Sequence, residues 1–165
     1  MINIDAAKNM PIENRYKYML LLLEGQLSSE KNIYANLSNA SAIIYAIMDK
    51  VNWSGFYFMR EGELVLGPFQ GKPACNRITV GKGVCGTAVA ERTIQRIANV
   101  HEFPGHIACD GASNSEIVLP IIKDGVVYGV LDIDSFELDN FSELEEEYLV
   151  KFVEKLNKYI DWTQL

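Results

Sequence analysis

Residues 116–122 and 126–134 are two strongly apolar runs separated only by Lys123-Asp124-Gly125. Asp-Gly is a strong signal for a tight β-turn, so the runs come back on each other as an antiparallel hairpin. Any fold for this chain has to be assembled around that hairpin. Residues 54–60 alternate around aromatic side chains, turn at Glu61-Gly62 and return as 63–66, a second hairpin. Residues 77–80 form a short strand ended by Gly81-Lys82-Gly83. A short helix over 84–92 and a strand over 93–97 follow. The stretch 99–115 is a polar loop of a length that is often functional.

Helical spacing frames this β-rich centre. Pro11 suits the first turn of a helix over 11–26, in which Tyr16, Met19, Leu20, Leu23 and Leu27 share a face. Leu21 and Leu22 widen that face, and the surplus has two uses, internal packing or a homodimer contact through the helices. Residues 29–48 form a second helix with Ile33, Leu37, Ala40, Ile44 and Ile47 on one side. Ser142-x-x-Glu145 fits a capping box that opens a last helix, with Leu144, Tyr148, Phe152, Leu156 and Tyr159 at core positions. The order predicts an α+β fold: a central antiparallel sheet, N- and C-terminal helices on one face, and a ligand pocket under loops on the other. No repeat or linker divides the chain. It is read as a single domain over 1–165, with helices at about 11–49, sheet and loops at about 53–135 and the last helix at about 142–160.

Composition excludes several classes of function. The formal net charge is −7, which argues against a general phosphate-binding surface and hence against nucleic acid. The aliphatic run 19–23 is far too short to cross a bilayer, so no membrane association is expected. The start, Met1-Ile2-Asn3-Ile4-Asp5, lacks the basic and apolar parts of a secretory leader, and the expected location is cytoplasmic. Three cysteines without a C-x-x-C pair favour free or transiently paired thiols in a reducing compartment.

Those thiols and a set of carboxyls are the candidate chemistry. Cys109 lies in the polar loop, beside backbone amides freed by Gly111 and Ser113, where a thiolate could be supported; a buried, inert thiol is the alternative. Cys75 lies in another loop. Cys85 opens the short helix, whose N-terminus could lower its pKa, but Val84, Ala88 and Val89 favour packing. Glu116 stands beside Ile117, Val118 and Leu119, so it is either a partly buried acid with a raised pKa or an exposed charge at a strand end. Asp132 and Asp134 share one side of a strand. They either line the solvent side of an edge or together bind a cation such as an α-ammonium group. Trp53 and Tyr57 could wall a pocket. His101, His106 and Cys109 match no strong zinc spacing, and no metal is expected.

The chain resembles the free methionine-(R)-sulfoxide reductases, small enzymes built on a GAF domain. The segments that carry the resemblance are Asn52-Trp53-Ser54-Gly55-Phe56-Tyr57, the stretch 67–75 ending in Pro73-Ala74-Cys75, and Gly83-Val84-Cys85-Gly86-Thr87-Ala88. They continue in Gly105-His106-Ile107-Ala108-Cys109-Asp110, Ser115-Glu116-Ile117-Val118 and Leu131-Asp132-Ile133-Asp134-Ser135. The resemblance implies that Cys109 attacks the sulfoxide sulfur and that Cys75 resolves the sulfenic acid as a disulfide, with Cys85 an auxiliary thiol. It also implies that Glu116, Asp132 and Asp134 hold substrate and assist proton transfer, while Trp53 and Tyr57 enclose the substrate. The partners implied are free methionine (R)-sulfoxide and a dithiol reductant such as thioredoxin, with no cofactor. The competing class is a non-catalytic GAF module that binds or senses a small molecule.

Overall fold

The structure, a computed structural model, describes residues 3–165; Met1 and Ile2, the start of the stretch inspected for a leader, lie outside the described residues. A short helix α1 (Ile4–Lys8) leads into α2 (Ile12–Ser29) and α3 (Ile33–Ile47). Pro11 is the residue before α2 rather than part of its first turn. α2 and α3 divide at residues 30–32 because Glu30 is extended and Asn32 caps the next helix, its side chain accepting the Ala35 amide. α1 is too short to carry an apolar period, which is why the pattern did not predict it.

Six strands follow: β1 (Val51–Arg60), β2 (Glu63–Gly71), β3 (Arg77–Thr79), β4 (Gln95–Ile97), β5 (Ser115–Lys123) and β6 (Val126–Ser135), with helix α4 (Gly83–Glu91) between β3 and β4. They form one sheet in the order β3-β2-β1-β6-β5-β4, antiparallel throughout. The expected hairpin is β5–β6, turning with Asp124 and Gly125 both at positive φ. β2 runs on to Gly71 past its expected end, and β1 starts three residues earlier than expected. The last helix, α5 (Glu143–Tyr159), opens with the complete Ser142–Glu145 capping box.

Period-2 alternation divides β5 and β6 between two faces. Ile117, Leu119, Ile121, Leu131 and Ile133 join Phe56 and Phe58 of β1 under α2, α3 and α5. Tyr148, Phe152 and Leu156 of α5 are buried there, while Leu144 and Tyr159 at its ends are only half-buried. Each buried aliphatic side chain of this set contributes about 1.5–3 kcal/mol. The opposite face has a smaller apolar cluster in which Val84, Ala88 and Val89 of α4 pack on Val118 and Val130. α4 sits close enough that a Cβ on Gly86 would lie 2.4 Å from the Thr79 carbonyl oxygen, so only glycine fits. The remainder of this face is roofed by the loops after β2 and after β4. No helix among the described residues is long and apolar enough to cross a membrane. Leu21, part of the surplus on α2, is exposed.

Candidate active site

Three carboxyls stand on the loop-covered face of the middle strands. Glu116 of β5 pairs with Asp134 of β6, and Asp132 lies across from Gly55 of β1. Glu116 is 5% exposed and Asp132 6%, while Asp134 keeps some solvent contact. Glu116 is therefore not a solvated strand-end charge. Nor do the aspartates line a solvent edge, because β6 lies between β1 and β5 in the middle of the sheet.

Burial without a counter-charge decides their protonation. Burial, then the charges of Asp132 and Asp134, push Glu116 well above the ordinary carboxyl range. Asp134 rises for the same reason, with Asp132 and Asp110 adding to it. Asp132 is raised by burial only to about 6, because hydrogen bonds from Glu116 and Cys85 favour its anion. The three acids thus separate. Near neutral pH Asp132 is the anion of the cluster and Glu116 its proton-carrying neighbour. Asp132 Oδ1 is buried without a hydrogen-bond partner, an acceptor facing the cleft with nothing to accept.

Cys85 reaches the same cluster from the first turn of α4, its Sγ 4.0 Å from Glu116 Oε1. It is a free, buried thiol. Burial first, then the neighbouring carboxylates, push its pKa well up, overriding any lowering by the helix N-terminus. The donor atoms of Cys85, Glu116 and Asp132 lie within 4.8 Å of one another, the grouping among the described residues best placed to take a cation. His101, His106 and Cys109 form no such group among the described residues.

The other two cysteines form the roof. Cys75 lies on the loop between β2 and β3, and Cys109 on the loop between β4 and β5. β3 and β4 are the opposite edges of the sheet, so the two loops cross the same face from either side. They meet in a Cys75–Cys109 disulfide with Cα atoms 5.5 Å apart. Side chains from β1 latch both loops. The Tyr57 hydroxyl donates to the Cys75 carbonyl (2.9 Å) and Trp53 Nε1 to the Lys72 carbonyl (3.2 Å). Trp53 stacks between Tyr57 and Phe69. Asn52 Nδ2 donates to Asp110 Oδ2 and to Ser113 Oγ, pinning the turn that follows Cys109. The Ser113 amide, expected to be free beside Cys109, instead donates to the Asp110 carbonyl.

Cys85, Cys109, Glu116, Asp132, Asp134, Trp53 and Tyr57 all border one cleft, and Cys75 is held at its rim by Tyr57. The cleft encloses about 40 Å³, room for about three waters. Two neighbours were not singled out for this role from sequence. Asn52 was only part of a longer motif, and an asparagine before an aromatic strand carries no signal of its own. From sequence His106 reads only as a candidate metal ligand. It lines the cleft with Nδ1 buried and unpartnered.

The GAF domain family model matches residues 32–160. Protein YtsP of Bacillus subtilis is 55% identical over 88% of this chain and 91% of its own length. The free methionine-R-sulfoxide reductase of Escherichia coli is 51% identical over 83% of each chain. Among solved structures, fRMsr of Staphylococcus aureus in complex with substrate is 49% identical, covers 86% of this chain and 95% of that one, and superposes with a TM-score of 0.78.

Proposed function

The chain belongs to the GAF domain family and, within it, to the free methionine-R-sulfoxide reductases, and on that premise we propose that it reduces free methionine (R)-sulfoxide to methionine with thiols as the source of electrons. The observation that carries this reading is the Cys75–Cys109 disulfide closed directly over a buried, proton-bearing carboxyl cluster. A ligand-sensing module has no use for that combination.

A sulfoxide oxygen becomes a leaving group only when protonated, and Glu116 is the acid held in its protonated form beside the thiols. Cys109 attacks the sulfoxide sulfur and the oxygen passes to Cys109. The thiol is oxidised by two electrons to a sulfenic acid as the sulfoxide is reduced by two to the thioether. The Cys75 thiol then displaces the sulfenic oxygen as water and forms the disulfide. A dithiol of the thioredoxin class exchanges with that disulfide and restores both thiols. Asp132, anionic and with Oδ1 unpartnered, accepts the α-ammonium group, with Asp134 beside it. Trp53 and Tyr57 flank the thioether side chain. Cys85, buried and protonated, donates to the acids rather than attacking. The cleft of the disulfide form is smaller than the roughly 300 Å³ at the lower end of small-molecule sites. Reduction, which frees the two loops from each other, is therefore the step that admits the next substrate.

The test is reductant-coupled turnover of the separated R and S sulfoxides of free methionine and of N-acetylmethionine. Free R-sulfoxide should be turned over and Cys109→Ser, while folded, should be inactive. Acetylation removes the ammonium and should lower kcat/KM about ten- to a hundredfold, the worth of a lost charge-assisted hydrogen bond. Equal kcat/KM for the free and acetylated substrates would sink ammonium recognition, and activity in Cys109→Ser would sink the assignment of the nucleophile.

A further inference from the structure

The proposed reduction requires a base for the nucleophile. Only the thiolate attacks, and a thiolate needs a positive or proton-accepting neighbour. The cleft works against it. Glu116 comes from β5, Asp132 and Asp134 from β6 and Asp110 from the nucleophile's own loop. Asp132 is the anion among them near neutral pH, and nearby negative charge raises a thiol's pKa. Cys85 of α4 and Tyr57 of β1 are neutral, held protonated by burial first and by the same acids second. No lysine or arginine lines the cleft among the described residues; the one base there is His106.

We propose that His106 is a catalytic base of this enzyme, taking the Cys109 proton on Nδ1 and holding the thiolate as an imidazolium pair. Three features of its placement support this. First, His106 precedes Cys109 by three residues in a tightly turned segment in which the Cys109 amide donates to the Ile107 carbonyl (3.1 Å) and the His106 amide to the Phe103 carbonyl (3.2 Å). Second, both side chains border the same small cleft, whose space for about three waters leaves room for a water to link them. Third, Nδ1 is buried with no hydrogen-bond partner, which leaves its lone pair for the cleft.

Burial, with the neighbouring histidine adding to it, keeps the ring neutral. His101 lies edge-on at 6.5 Å, its Nε2 tied to Asn114 Oδ1 at 2.8 Å. Burial and then the charge of His101 hold His106 below the usual imidazole range. It is therefore neutral near pH 7 and free to take a proton. The proton balance then closes. The thiol proton goes to His106, and Glu116 protonates the sulfoxide oxygen as it passes to Cys109. As Cys75 attacks, its proton returns to Glu116 and the imidazolium protonates the departing hydroxide, which leaves as water.

This role rests on the proposed reduction, but it can be tested without sulfoxide. Fully reduced protein is alkylated with iodoacetamide from pH 5 to 10, and modification of Cys109 is followed by peptide mass spectrometry. In His106→Asn the inflection for Cys109 should move up by at least one unit, with alkylation at pH 7 slowed about tenfold or more. In turnover kcat should fall with little change in KM, and added imidazole should restore part of the rate to His106→Ala. If His106→Asn does not fold, His106→Gln replaces it in both assays. A folded variant with the wild-type alkylation profile overturns the role of His106 while leaving the reductase reading intact. A wild-type protein that is alkylated as described but never reduces the sulfoxide removes the reductase reading instead.

Discussion

The two faces of one sheet have opposite characters. Under α2, α3 and α5, strands β1, β5 and β6 present Phe56, Phe58, Ile117, Leu119, Ile121, Leu131 and Ile133, and every one is buried among other apolar side chains. One residue further along the same strands the opposite face presents Glu116, Asp132 and Asp134, together with a buried thiol and an unpartnered carboxylate oxygen. The first face lowers the free energy of the fold by removing apolar area from water. The second raises it by burying acids beside acids, and the strain is tolerated because the first face is complete. Strained, incompletely satisfied groups collected on one side of a well-packed scaffold are what catalytic chemistry requires.

That contrast is broken most sharply at Glu116. Glu116→Gln keeps the size and the hydrogen bonding of a group that is already protonated in the fold, so stability should hold or rise. It cannot deliver a proton, and loss of a general acid costs about 10²–10⁴-fold. Single-turnover release of methionine isolates the step. An unchanged rate there would transfer the acid role to Asp134.

The opposite face should respond in the opposite way. Leu156→Ala removes a fully buried side chain from α5 and should cost about 2–5 kcal/mol in denaturant unfolding, with kcat near wild type below the unfolding temperature. A loss of kcat matching the loss of stability would mean that the two faces are coupled rather than independent.

How much of this was legible beforehand follows from the same alternation. The helix-covered face was readable because apolar period and burial coincide there, at Tyr16, Leu37 and Phe152 as much as in the hairpin. The hairpin itself was announced by Asp124-Gly125. The acids were visible as residues, but their state was not. Whether Asp132 and Asp134 face solvent depends on β6 having β1 as its second neighbour, a pairing made by a strand about 75 residues away. The meeting of the Cys75 and Cys109 loops depends on the same long-range order, since it needs β3 and β4 at opposite edges. Cys85 shows a local rule losing to tertiary context, for its helix N-terminus is outweighed by burial. Asn52 and His106 act only through what they reach, and spacing along the chain does not report that.

The smallest and most specific effect concerns the cost of the acidic face itself. Asp132 titrates near 3.8 in the unfolded chain and at about 6 in the fold. A carboxyl whose pKa is raised by folding adds stability below the unfolded value and loses it as pH rises through the folded one. The loss for Asp132 therefore falls between about pH 4 and pH 6, and a shift of two units corresponds to about 3 kcal/mol. Asp132→Asn cannot ionise, so it should lack this component. The stability difference, variant minus wild type, should rise by about 2–3 kcal/mol between pH 4 and pH 7 in denaturant unfolding of the disulfide form. Carboxyls outside the cluster contribute equally to both proteins and cancel in the difference, while Glu116 and Asp134 lose the raising effect of the Asp132 charge in the variant, which widens the difference further at higher pH. Glu116 and Asp134, raised further, should continue the wild-type decline above pH 7. A pH-independent difference would mean that Asp132 is solvated in the fold. The acidic face would then be an ordinary polar surface, with no unmet charge to draw an ammonium group into the cleft.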